Sequence, residues 1–470
     1  MQSRLGNRTA LAVIAALTVV GCSTGVSTPH ATTTPTQAGS PILTTPGTSV
    51  PSASAAVAPP SGRVVQWGDS TGIVNNPDYK TGVIDVFNAT NPTMTLEDTI
   101  RTNMDAALRT ALAAGSVTPD VVNMAGPTEG VELALAGQLL PLDKYVAQYG
   151  WDKILTPWSL ALGTVNGHVY CIPNNMETLV VYYNKTQFDK NGWALPKTYA
   201  DLIAVADQVK AAGSIAFMQG NAEYKLADQW FQGEWLNHVA GPENVAKALK
   251  GTIPWTDPTI AAAVTELKNV VNGGHFTGGL SKYYTTTFSA IAAAVASGKA
   301  AMSVDGTWDL AVFQDAFKKT GQELGWFAMP DSTGNPVLDI SIGGCDGINK
   351  NSTNPDATAA WENWLLTDAG QVALAKAQNN PSPLATVNAG AMALYDPMRA
   401  DILTALVQKT ATPGQYGYTD WTFFSPKMET YWENHIEQVW AGALSVPDYL
   451  AATQAAYEQD KAANALMQLP

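Results

Sequence analysis

From residue 63 to its end the chain alternates short apolar runs with longer stretches of helical periodicity, and this constrains its fold more than any other feature. Residues 63–67 read as a strand that runs into loop chemistry at Gly68-Asp69-Ser70. Residues 96–114 read as an amphipathic helix through Ile100, Met104, Leu108 and Ala111, residues 119–124 as a second strand, and residues 131–137 as a helix. Farther on, residues 178–183 form an aliphatic and aromatic strand, and Thr198 caps a helix carrying Leu202, Val205 and Val209. Asp257-Pro258 starts another helix, with Ile260, Val264, Leu267 and Val271 on one face. An Ala-rich helix over 289–297 stops at Gly298, a strand follows at 300–304, and Asn354-Pro355 opens the helix of Trp361 and Trp364. The class is α/β, and the strand–helix spacing predicts a parallel sheet.

Once the first 62 of 470 residues are set aside, about 408 remain, more than one hydrophobic core normally serves. Two lobes are therefore expected. The set-aside segment has its own logic. Arg4 and Arg8 flank an apolar run over residues 10–20, too short for a bilayer span of about 20 residues but suited to a signal peptide. Val19-Val20-Gly21-Cys22 resembles the bacterial lipobox, in which the cysteine becomes the lipid-modified first residue of the mature chain. Residues 23–62 are Ser, Thr, Pro, Ala and Gly with almost no charge. Such a segment buries too little surface to offset its ordering entropy, so a tether is expected. All fourteen Trp residues follow it.

Charged residues make up 14% of the chain, against about 25% in ordinary domains, and the net charge is −14. With no Lys/Arg cluster, nucleic acid and anionic membrane are poor partners. Low charge with many Trp, Tyr, Asn and Thr suits a neutral polyhydroxylated ligand. Cys22 aside, Cys171 and Cys345 remain as a pair in an oxidising compartment. The five histidines are scattered without ligand spacing, so neither a metal nor a cofactor is expected.

Several stretches resemble, in order, the sugar-binding branch of the bacterial ABC-transporter solute-binding proteins, which includes maltodextrin-binding proteins. They are Pro119-Asp120-Val121-Val122, Leu139-Leu140-Pro141-Leu142-Asp143, and Asn166-Gly167-His168-Val169-Tyr170-Cys171-Ile172-Pro173. Tyr182-Tyr183-Asn184-Lys185, Pro196-Lys197-Thr198-Tyr199, Gly298-Lys299-Ala300-Ala301-Met302, Asp305-Gly306-Thr307-Trp308 and Gly343-Gly344 follow. The resemblance implies a periplasmic-binding-protein-like fold, two α/β lobes with a ligand cleft between them that closes by hinge motion. By analogy the first lobe comprises 63–172 plus 346–395, and the second 173–342 plus 396–470. The resemblance also implies a monomeric, non-enzymatic receptor on the outer face of the membrane, held there through its lipid alone, that passes a carbohydrate to permease subunits. It places Cys171 and Cys345 side by side on the crossing segments, as a disulfide.

A sugar ring has an apolar C–H face and a rim of hydroxyls, so its receptor needs aromatic plates and acceptors at the rim. Trp308 matches the family's stacking tryptophan. Trp230 stands in a segment that supplies a second aromatic, with Trp235 competing for the role. Glu177 stands where relatives carry an acidic contact, with Asn175 as the alternative. Trp67, Asp69 and Ser70 follow the first strand toward the cleft, and Gly343 and Gly344 allow close backbone approach, with Asp346 and Asp305 beside these motifs. A further aromatic wall at Trp421-Thr422-Phe423-Phe424 does not match relatives. Met124-Ala125-Gly126-Pro127 also departs from the maltodextrin pattern, so maltose specificity does not carry over. The competing readings are a polyamine or peptide receptor, in which aromatic faces hold a cation, and a secreted glycoside hydrolase.

Overall fold

The structure is a computed structural model describing residues 60–69, 77–101, 103–412 and 414–470. The expected signal segment with Cys22, nearly all of the tether, and Ser70 lie outside the described residues. Twelve strands are described: β1 (Gly62–Asp69), β2 (Met94–Arg101), β3 (Val121–Met124), β4 (Thr164–Val165), β5 (His168–Val169) and β6 (Cys171–Glu177), then β7 (Leu179–Asn184), β8 (Ile215–Phe217), β9 (Ala300–Gly306), β10 (Leu324–Phe327), β11 (Leu338–Ile348) and β12 (Tyr416–Tyr418).

β1 and β2 pair in parallel from Gly62↔Met94 to Asp69↔Arg101. This corrects the helix expected from residue 96; the helix begins only at Met104 (Met104–Ala113). Met94 and Leu96 are buried while Thr95 and Glu97 are exposed, a period of two, and Ile100, counted on the helical face, is 46% exposed. Asp120 ties this pair to β3: its Oδ2 accepts from the Val65 N–H at 2.8 Å, and its own N–H donates to the Val65 carbonyl at 2.8 Å.

The two larger sheets are mixed, not parallel. In one, β11 runs antiparallel to β3 and β6 and parallel to β12. In the other the order is β10-β7-β9-β8, antiparallel except for β8–β9. Thr178 alone separates β6 of the first of these sheets from β7 of the second.

The centre of the second sheet is closed to water. Val180, Val181, Tyr182, Ala301, Met302 and Val304 are fully buried, as expected for strands covered on both faces. Helices Tyr199–Ala211 and Phe288–Ala296 start where the sequence places them. Thr198 and Asp201 form a reciprocal capping box, and Asp257 accepts from the Thr259 N–H at 2.9 Å. Trp361, Trp432 and Trp440 are buried in the core, whereas Trp364, which its helical surroundings also assign to the core, is half-buried at its edge. Cys171 and Cys345 form a disulfide joining β6 to β11, with 5.5 Å between Cα atoms and 174 residues of separation.

Candidate functional site

β6 and β9 end at the same place. Leu179 is in register with Gly306, and the Thr307 N–H donates to the Thr178 carbonyl at 3.1 Å. Beyond Gly306 the chain makes one short turn, Thr307–Asp309, and the Trp308 ring folds back over the glycine. A Cβ at residue 306 would overlap that ring, so the glycine permits the turn by close approach and not by its φ of −92°.

Trp308 is half-buried and belongs to an aromatic group. Its ring centroid lies 5.4 Å from Trp230 and 6.0 Å from Trp421, tilted by 60° and 77°. Trp230 in turn stacks on Phe288 at 5.2 Å and on Tyr224 at 6.3 Å. The Trp308 Nε1–H has no hydrogen-bond partner among the described residues, nor do Thr307 Oγ1 and Asp309 Oδ2. Three consecutive residues thus hold buried polar atoms without a partner among the described residues. Trp235, the competitor of Trp230, points elsewhere: it is buried edge-on to Phe217 and donates to the Tyr199 hydroxyl at 2.9 Å.

Glu177 closes β6 and is 4% exposed. It accepts from the Ser341 hydroxyl and from Asn175 Nδ2, both at 3.2 Å, and is bonded by Trp421 and Asn380. Burial is the main influence and pushes its carboxyl up to about 8; the hydrogen bonds pull down, and Asp309 pushes up. Asn175 and Glu177 thus stand side by side, joined by this hydrogen bond. Burial likewise raises Asp309 to about 7, with Glu223 adding to the effect, and Asp305 well above the carboxylate range as the proton-bearing partner of Asp309. The grouping of aromatic faces, a glutamate and an aspartate pair can stack against a C–H face and bond a hydroxyl rim.

The adjacent glycines serve the protein's own side chains. A Cβ at Gly343 would overlap the Glu177 carboxylate, and one at Gly344 would overlap Asn174 Oδ1. Asp346 is buried in a separate network, accepting from Asn123 Nδ2 at 2.5 Å and from Asn174, and paired with Glu362. Burial raises Asp346 to about 7, against the pull of its three partners. Trp67 is half-buried, with the Arg101 guanidinium carbon 4.5 Å from its ring centroid, and Asp69 ends the same strand opposite Arg101. Gly126 approaches Trp421 so closely that a Cβ there would overlap the Trp421 carbonyl oxygen.

Asn174, Asn380, Ser341 and Asp309 were not singled out in the sequence. Asn174 and Asp309 each adjoin a residue that was, and only the long-range pairing with β11 and with residue 380 shows their roles.

A family model described as bacterial extracellular solute-binding protein matches residues 84–400. An uncharacterized ABC transporter extracellular-binding protein of Pyrococcus horikoshii is 25% identical over 288 residues, 60% of this chain and 60% of that protein. A probable sugar-binding periplasmic protein of Mesorhizobium japonicum is 28% identical over 244 residues, 51% of this chain and 56% of its own length. The chain therefore spans less than two thirds of either relative. Among solved structures, a chitin oligosaccharide binding protein aligns with a TM-score of 0.68 at 22% identity, covering 86% of this chain and 99% of that one. The likeness shows the fold, two α/β lobes of the periplasmic-binding-protein kind.

Proposed function

Because the chain belongs to the bacterial extracellular solute-binding proteins, we propose that it captures a carbohydrate, an oligosaccharide in the simplest reading, and delivers it to the permease of an ABC importer. It acts as a monomeric receptor, not an enzyme. Residues 63–172 plus 346–395 form one lobe, 173–342 plus 396–470 the other, and the lobes close over the sugar by a hinge at Thr178 and β11. The lipid on Cys22 holds the receptor at the outer face of the membrane, with residues 23–62 as its tether. Among the described residues no helix is long and apolar enough to cross a membrane.

The observation that carries this reading is the group formed by Trp308, Trp230 and Trp421 beside Glu177 and the Asp305–Asp309 pair. Aromatic plates next to acceptors are what a ring with one apolar face and a hydroxyl rim requires. The relatives whose names mention sugars support the same class.

A thermal-shift screen of neutral oligosaccharides, monosaccharides and polyamines tests it. A ligand in hundredfold excess over its dissociation constant stabilises the folded state by about 2.7 kcal/mol. The expected result is a shift with a neutral sugar that Trp308→Ala abolishes. A shift with polyamines alone, or turnover of the sugar, would overturn the reading. Cys22→Ser is expected to release the protein from the membrane fraction; retention there would refute the anchor.

A further inference from the structure

We propose that Glu234, His238 and Asp339 form a closed site for a divalent cation of the Zn2+ type. Glu234 lies in the last turn of the helix Asp228–Trp235 that also carries Trp230, His238 follows in the widened turn Leu236–Ala240, and Asp339 lies on β11. One ligand atom from each lies within 4.8 Å of the others, and all three residues are at most 1% exposed. The histidines show no ligand spacing along the chain because Asp339 reaches His238 only through the fold.

The unpaired atoms favour a positive partner. Both carboxylate oxygens of Glu234 and Oδ1 of Asp339 lack hydrogen-bond partners among the described residues. Buried carboxylates in that condition are strongly disfavoured unless a positive charge or a proton joins them. Burial and then Asp339 push the Glu234 carboxyl up, burial pushes Asp339 up, and no Lys or Arg is among the groups that act on either.

The surroundings also resemble a metal's outer shell. His238 Nε2 faces the Val337 carbonyl oxygen at 3.4 Å, a place for the ring proton. Nδ1 lies 3.5 Å from Glu234 Oε2 and 2.5 Å from the Glu234 backbone oxygen, a spacing that a proton or a cation on this nitrogen reconciles. Asn237 Nδ2 donates to Asp339 Oδ2 at 3.0 Å, which fixes that carboxylate and leaves Oδ1 facing inward. At Gly417 a Cβ would overlap Asp339 Oδ1, so glycine keeps this position clear. One imidazole and two carboxylates suit Zn2+, whereas Ca2+ prefers six to eight oxygens.

The competing occupant is a proton on the imidazole or on a carboxyl, and metal analysis separates the two. The full chain is unfolded in urea, refolded with ZnCl2, dialysed, and assayed for zinc by mass spectrometry beside Glu234→Gln and Asp339→Asn. The expected result is about one zinc per wild-type chain, roughly a tenth of that or less in each variant, and a melting temperature that zinc raises only in the wild type. A wild-type chain that refolds without retaining zinc would overturn the site. So would variants that retain as much as the wild type, which would place the metal on other histidines. If a variant fails to fold, His238→Gln replaces it, and the wild-type stoichiometry remains decisive.

Discussion

Replacing Glu177 by Gln is expected to stabilise the ligand-free protein at neutral and alkaline pH and not in acid. The carboxyl of Glu177 titrates near 8 in the folded chain against 4.5 in the open one, because burial disfavours its charge more than four hydrogen-bonding neighbours favour it. Between those values the folded state keeps a proton that the unfolded state has released, so stability falls as pH rises. Below 4.5 both states are protonated and the effect vanishes. At about 1.4 kcal/mol per pH unit, the penalty reaches roughly 5 kcal/mol above pH 8 and about 3 kcal/mol at pH 7. Gln cannot ionise, but it accepts fewer hydrogen bonds, which costs about 1 kcal/mol. The net gain is then about 2 kcal/mol at pH 7, turning into a small loss at pH 4. Urea unfolding of both proteins at pH 4, 5, 7 and 8 measures this directly. Burial also raises Asp309, Asp346 and Asp420, so the wild-type slope has several contributors and the difference between the proteins is the informative quantity. A difference that stays flat from pH 4 to pH 8 would refute the reasoning, because the Glu177 proton would then contribute nothing.

Two other substitutions test the frame around the site. Cys171→Ala with Cys345→Ala releases a loop of 174 residues, for which chain entropy gives about 5 kcal/mol and measured cases run about 2–5 kcal/mol; an unchanged denaturation midpoint would contradict a restraint acting through the unfolded chain. Gly126→Ala puts a methyl group into the Trp421 carbonyl, with an expected loss of about 1–3 kcal/mol and altered near-ultraviolet circular dichroism; a spectrum and stability like the wild type would show that the 124–127 loop and Trp421 separate freely.

The elements easiest to read in the sequence were those whose signal is local. The Thr198 cap needs only Asp201 three residues on, and the core strand at β7 needs only its own apolar run. β2 was misread because Met104, Leu108 and Ala111 do belong to a helix, and Ile100, four residues before Met104, extends its period backward into a strand. The choice between Trp230 and Trp235 could not be made locally: five residues apart on one helix, they face different neighbours, and only the placement of Trp308 and Tyr199 decides between them. The Asn174–Asp346 contact joins residues 172 apart and has no local signature. The cystine was reachable only through resemblance to a family, since two cysteines in a chain do not say that they meet.

That cystine gives the molecule a covalent topology distinct from its fold. Every strand of the second sheet, with Trp230 and Trp308, lies between Cys171 and Cys345, so this part of the polypeptide is a closed ring hung from one sulfur bridge. A protease cutting one exposed loop of the ring opens it without detaching anything, and the two pieces part only after reduction. Trp421 lies outside the ring. The aromatic group is thus assembled from a covalent circle and from a strand of chain that merely leans against it.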